Sequence, residues 1–209
     1  NGIAWIQARA TVNLLAPGDA HFRLVASNGY GVSYGEDQVV HLLPATTSLI
    51  EPMVHYTGIG VAPQAGLVLG NDGHLYGTTS TGGSMNNGTV FRLTSGGTLT
   101  TLASFHNNLN SSDEGSSPQA VLVQGTDGRY YGTTTSGGTG GFGTVFAMTP
   151  GGQVTTLVSF TSTSGLFLGS SPNNGLSLGP DGSFYGVTAS GGSTSSFGTI
   201  YKVTQTGEF

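Results

Sequence analysis

The sequence predicts an all-β protein of propeller-like, four-stranded blades: three repeats, one of them split between the two ends, preceded by a partial β-sandwich segment. Three observations carry that prediction. The stretch LYGTTSTGGSMNNGTVF at residues 75–91 returns as YYGTTTSGGTGGFGTVF at 130–146 and as FYGVTASGGSTSSFGTIY at 184–201. Pro63, Pro118 and Pro172 head the three units, 55 and 54 residues apart, a period that belongs to repeat architectures. No window shows the 3.6-residue apolar period of a helix.

Composition agrees. Glycine accounts for 37 of 209 residues and charged residues for 7%, against about 25% in an average globular protein. Hydrophobic residues still make up 36% and recur at fixed places between the glycines, which favours short strands and tight turns over a low-complexity coil. The net charge of −5 leaves no basic footprint for nucleic acid or an anionic membrane. There is no cysteine, hence no disulfide framework and no thiolate metal site. No apolar run approaches the roughly 20 residues of a membrane-spanning helix. Asn1 is not an initiator residue and no signal peptide is present, so the chain reads as a processed product, an expression product or a fragment.

In chain order, residues 1–45 stand outside the repeat. LLAPGDA reads as a strand end and turn. Phe22, Leu24 and Ala26 fall on one face of a strand, and Val39 and His41 on another after a Gly-rich turn, Asn28–Gly35. On Leu15, Pro17, Gly18, Phe22, Arg23, Val25, Asn28, Gly31, Tyr34, Gly35 and Asp37 this segment resembles the last three strands of a fibronectin type III-like domain. It departs from that pattern at Ala20, near the place of a usual Tyr, and it lacks the earlier strands. The resemblance implies an apolar face that needs cover from the repeat region, from another chain or from residues upstream.

Residues 46–209 form the repeat region. Within a unit the first strand reads GLVLG, AVLVQ or GLSLG, closed by an Asp-Gly hairpin at Asp72, Asp127 or Asp181. The second reads HLYGTT, RYYGTT or SFYGVT, and a Gly-Gly polar loop follows. The third reads GTVFRLT, GTVFAMT or GTIYKVT. A turn of the SGG or PGG kind then leads to the fourth, TLTTLASF or QVTTLVSF. The third copy reaches Glu208-Phe209 where its fourth strand should begin. LIEPMVHY, Leu49–Tyr56, aligns with Thr98–Phe105: Ile50 with Leu99, Met53 with Leu102, Val54 with Ala103, Tyr56 with Phe105. The split blade follows from that register. Three blades are fewer than the usual 4–8 or so of propellers, and a closed ring of three needs excessive twist. The expectation is a six-bladed ring from two copies, an open filament in which each copy completes its neighbour's blade, or a piece of a longer repeat protein.

The recurring Tyr-Gly-Thr-Thr and Gly-Thr-Val-Phe, with Gly-Gly between them, resemble the Gloeo–Verruco (GloVer) tandem repeat over residues 63–209, and more weakly over 49–56. That resemblance implies an exported, surface-located protein. The family has no established enzymatic activity, so no catalytic residue carries over, and no C-terminal anchor signal is seen here.

The residues themselves point to no catalytic centre. Asp72, Asp127 and Asp181 read as turn residues, because one carboxylate per unit does not gather the six to eight or so oxygens that calcium takes. Asp113 and Glu114 lie in the longest inter-blade loop and read as solvated. A paired-carboxylate glycosidase site needs two acids at a set separation in a cleft. His21, His41, His55, His74 and His106 show no ligand spacing. Tyr76, Tyr131 and Tyr185 could stack on sugars, with packing between blades as the default. Asn87 and Asn110 head formal glycosylation sequons. The expectation is a non-enzymatic structural or adhesive protein outside a bacterial cell, without cofactor or metal, associating with copies of itself; a carbohydrate- or protein-binding propeller module is the alternative.

Overall fold

The computed structural model describes residues 18–22, 25–28, 31–34, 38–42, 60–106, 114–193 and 196–209. Its backbone divides into two compact units, Asn1–Pro52 and Met53–Phe209. Among the described residues every regular element is a strand.

The first unit holds β1 (Gly18–Phe22), β2 (Val25–Asn28), β3 (Gly31–Tyr34) and β4 (Gln38–Leu42). β1 pairs antiparallel with β4, Phe22 opposite Gln38, and β2 pairs with β3, Asn28 opposite Gly31. The stretch read as one turn, Asn28–Gly35, therefore contains a strand, β3, in which Val32 and Tyr34 are good strand formers. Phe22 and Ala26, expected on one strand, belong to β1 and β2, and Leu24 lies outside the described residues.

The second unit contains three antiparallel meanders. The first blade is β5 (Val68–Leu69), β6 (Leu75–Thr79), β7 (Thr89–Leu93) and β8 (Leu99–Ser104). The second is β9 (Val123–Gln124), β10 (Tyr130–Thr134), β11 (Thr144–Met148) and β12 (Val154–Ser159). The third is β13 (Ser177–Leu178), β14 (Phe184–Thr188) and β15 (Thr199–Val203). The strand order is that expected from the repeat, with the first strand of each blade contracted to two residues. Leu49–Tyr56, aligned to a fourth strand, lies outside the described residues.

The repeated letters have local physical reasons. The glycine of Tyr-Gly-Thr-Thr sits opposite the aromatic residue of Gly-Thr-Val-Phe: Gly77 pairs Phe91, Gly132 pairs Phe146, Gly186 pairs Tyr201. The tip of the ring occupies the space beside the glycine, so that a Cβ at Gly132 would stand 2.7 Å from Phe146 Cζ and 2.8 Å from Leu122 Cδ2. The second Thr of the same motif pairs hydroxyl to hydroxyl with the Thr of the next strand, Thr79 with Thr89 and Thr134 with Thr144, both at 2.8 Å. A bulge after Val90 and after Val145 bends the last hairpin of the two four-stranded blades.

Blades stack through two apolar cores. Tyr76, Val90 and Phe105 of the first blade pack on Leu122, Tyr130, Phe146 and Met148 of the second. Tyr131, Val145, Ala147, Val158 and Phe160 of the second pack on Leu176, Phe184, Tyr201 and Val203 of the third. Side chains alternate along each strand, so one face of a sheet meets the blade behind and the other the blade ahead. Phe105 meets Phe146, and Phe160 meets Tyr201, in the same edge-on geometry, 5.0 and 5.1 Å between centroids. Among the described residues the stack does not close on itself. Ile200, which occupies the place of the fully buried Val90 and Val145, is 85% exposed on the far side of the third blade, and Leu67 at the other end is 47% exposed where Leu122 is 1%.

Candidate functional site

The most regular polar feature is a carboxylate–phenol brace repeated at one end of every blade. The Asp of each Asp-Gly turn accepts a backbone N–H from two residues on, at 3.1 Å in all three copies: His74 to Asp72, Arg129 to Asp127, Ser183 to Asp181. Its other oxygen accepts the hydroxyl of the Tyr four residues on. Tyr76 to Asp72 is 2.7 Å, Tyr131 to Asp127 is 2.8 Å and Tyr185 to Asp181 is 2.9 Å. Both carboxylate oxygens are thus engaged in tying the first hairpin to the second strand.

Neighbouring blades add to the brace. Tyr76 stacks on Tyr130 at 4.1 Å between centroids, and Tyr131 lies on Phe184 at 4.2 Å. Arg129 binds Asp127 at 2.6 Å, covers the Tyr131 ring at 5.3 Å and donates to the Gln205 carbonyl of the third blade at 2.8 Å. Lys202 binds Asp181 at 2.9 Å and lies 5.9 Å from the Tyr185 ring. Of the three tyrosines singled out in the sequence, Tyr76 and Tyr131 are fully buried between blades and offer no ring to a ligand. Tyr185 is 39% exposed on the free face of the third blade.

Electrostatics follow the geometry. The Tyr76 hydroxyl, helped by the His74 N–H, holds the Asp72 carboxyl below its ordinary value against the opposing effect of desolvation. For Asp127 burial pushes upward, and the Arg129 and Tyr131 bonds together outweigh it. Lys202, the Ser183 N–H and Tyr185 depress Asp181. Burial, and then the Asp127 partner, raise Tyr131 well above an ordinary phenol. A depressed carboxyl contributes stability that is present above its unfolded value, about 3.9, and lost as pH falls through the lower folded value. A raised phenol contributes stability present below about pH 10 and lost only above it. For these groups, stability is therefore level from about pH 5 to 9 and falls in acid below about pH 4. Tyr131→Phe is expected to lower the urea midpoint at pH 7 by an amount equal to about 1 kcal/mol and to make the acid fall shallower. An acid profile identical to that of the unaltered chain would remove the brace from the account.

Other candidates are placed separately. His106 Nδ1 stands 3.7 Å from a Glu114 carboxylate oxygen, and its Nε2 3.4 Å from Ser84 Oγ, at the mouth of the inter-blade loop. Asp113, Asn110 and His55 lie outside the described residues. The Asn87 carbonyl takes part in the joint to the second blade, accepting the Ser117 N–H at 2.8 Å. His21 and His41 lie on β1 and β4. Among the described residues no group of three or more His, Cys, Asp or Glu could hold a metal ion. No helix among them is long and apolar enough to cross a membrane.

The sequence reading did not foresee the Asp–Tyr brace. Its signal was present as Asp-Gly-x-x-Tyr in all three copies. It also missed the blade-to-blade ties, in which Thr78 and Thr133 hydroxyls donate to the Ala120 and Asn174 carbonyls at 3.3 and 3.2 Å.

No curated protein matches this chain. A comparison with protein families matches residues 10–209 to the Gloeobacter/Verrucomicrobia repeat, a span that takes in β1–β4 as well as the three blades. With nearly its whole length matched and three blades repeating the same brace, the same Gly–aromatic pair and the same joint, the chain belongs to the Gloeobacter/Verrucomicrobia repeat family.

Proposed function

We propose that this chain is a non-catalytic structural and adhesive repeat protein of the bacterial cell exterior that associates with copies of itself by strand addition. The observation that carries the reading is the outer edge of β15. In the first two blades the equivalent edges of β7 and β11 are covered by β8 and β12, and the N–H groups of Phe105 and Phe160 bind the Gly88 and Gly143 carbonyls at 2.9 and 3.0 Å. Among the described residues no strand pairs with the edge of β15 that faces away from β14, although the turn that would introduce a fourth strand is formed: the Thr204 N–H bonds the Glu208 carbonyl at 2.8 Å, as Thr94 bonds Thr98. An unpaired edge beside buried apolar residues is a template for an added strand. The sequence register supplies Leu49–Tyr56 of another copy for that role. The low charge and the polar, Gly-rich loops suit a solvated surface outside the cell.

Light scattering after size exclusion tests the proposal. The expected mass rises with protein concentration above the 21.1 kDa of one chain. A mass that stays at one chain at every concentration overturns it.

A second reading, a carbohydrate-binding module, is favoured by the exposed Tyr185 ring beside the Asp181 carboxylate and the Lys202 amine. A glycan array decides it: binding lost in Tyr185→Ala supports it, and silence across the array removes it.

A further inference from the structure

The two joints inside the repeat region are copies of each other, and the chain presents both halves of a third. We propose that a second copy stacks head to tail on the free face of the third blade, through the joint that already holds blade to blade. This inference rests on the self-association proposed above and adds its face, its polarity and its contacts.

Within the chain the joint has three parts. A backbone N–H just before the unit's proline crosses to the previous blade: Ser117 to the Asn87 carbonyl at 2.8 Å, Ser171 to the Phe142 carbonyl at 2.9 Å. The proline ring then seats on a glycine, with Pro118 Cδ 2.6 Å from where a Cβ of Gly88 would be, and Pro172 Cδ 2.7 Å from that of Gly143. Finally the apolar faces close, Tyr76 and Val90 over Leu122 and Tyr130 in one joint, and Tyr131 and Val145 over Leu176 and Phe184 in the other.

Each part has an unused counterpart at the two ends of the stack. Ala62 stands where Ser117 and Ser171 stand. It holds the same left-handed backbone, φ 57° against 56° and 52°, a conformation uncommon for a residue with a side chain. In the two serines that conformation aims the N–H across a joint; the Ala62 N–H has no partner among the described residues. Its acceptor by position is the carbonyl of Phe197, a residue 90% exposed that takes the place of Asn87 and Phe142. Pro63 is exposed, and Gly198 is its matching glycine. On the apolar faces, Ile200 and Tyr185 are the unburied equivalents of Val90 and Tyr76, and Leu67 is that of Leu122. Val187 replaces Thr78 and Thr133, so the new joint exchanges one hydroxyl bond for apolar contact. Such isolated exposed apolar side chains, matched end to end, form a heterologous interface, and copies joined by it add in one direction.

The chain has no cysteine, so introduced thiols report cleanly. Ala62→Cys and Phe197→Cys are made singly, the first isosteric with the serines found at equivalent places. Mixed under mild oxidation, they are expected to give a disulfide-linked pair that neither gives alone. As a second arm, Ile200→Asp changes an exposed residue and is expected to weaken association at least tenfold without moving the unfolding midpoint. A linked pair as abundant in either variant alone as in the mixture overturns the head-to-tail joint. Oligomers by light scattering with no 62–197 link and no effect of Ile200→Asp overturn this joint and leave strand addition standing. Monomers throughout overturn both.

Discussion

Phe146→Ala is expected to destabilise the repeat region by about 3–5 kcal/mol, a large part of the roughly 5–15 kcal/mol that a domain has to lose. Phe146 is fully buried, fills the space beside Gly132 and meets Phe105 in an edge-to-face pair across the first joint. Truncation removes the transfer energy of the ring and the aromatic pair with Phe105. It also leaves a void that Gly132, having no side chain, cannot fill. Repeats are held chiefly by nearest neighbours, so the damage should concentrate between the first and second blades. Urea unfolding followed by far-ultraviolet circular dichroism gives the magnitude. Hydrogen exchange gives the place: amides of β7 and β11 should lose protection before those of β14. Tyr185→Ala, at a partly exposed ring, is the control and should cost far less. A loss of under about 1 kcal/mol at Phe146 would contradict a core built from joints.

Features repeated at short range were legible in the sequence. The second and third strands of each blade fall within one residue of their expected ends, because Asp-Gly and Gly-Gly mark the turns and the intervening letters alternate. The first strand is shorter than expected. In β5 only Val68 and Leu69 enter the ladder, while Leu67 two residues from the turn of direction leans over Gly77. β3 was hidden because its four residues sit inside a longer glycine-rich stretch. Across the joints the packing of Tyr76 and Tyr131 between blades was legible as the default, and the polar partners were not. Arg129 reaches the Gln205 carbonyl 76 residues away, and no local pattern specifies such a partner. The same limit applies to the site. Tyr76, Tyr131 and Tyr185 hold equivalent places in the repeat, and the presence of a blade ahead buries two of them while the third is partly open. Exposure here is a property of position in the stack, which the repeat, being the same in each copy, does not encode.

The glycines of the repeat divide by physical cause, and a three-residue series should separate those causes. Gly151→Ala is expected to be neutral or stabilising by about 0.4–1 kcal/mol: its φ is not in the left-handed region, and the nearest atom to a new Cβ is Thr149 Oγ1 at 3.8 Å. Gly128→Ala is expected to cost about 1–2 kcal/mol, because its φ of 81° disfavours a side chain although nothing lies within 4 Å of the Cβ. Gly143→Ala should cost about 3 kcal/mol or more, since crowding is added to strain. Its φ is 95°, and a Cβ there would run into the Thr134 carbonyl oxygen while standing 2.7 Å from Pro172 Cδ. Relief by movement is closed off, because the Gly143 N–H is held by the Gly137 carbonyl at 2.8 Å and its own carbonyl by the Phe160 N–H at 3.0 Å. A shift that freed the Cβ would break the third strand from the fourth and lift Pro172 from its seat, so the second joint should loosen with the hairpin. The order of the three unfolding midpoints is the test. Equal losses at Gly128 and Gly143 would mean that the backbone conformation alone accounts for these glycines, and the proline seat would then carry no weight in holding one blade on the next.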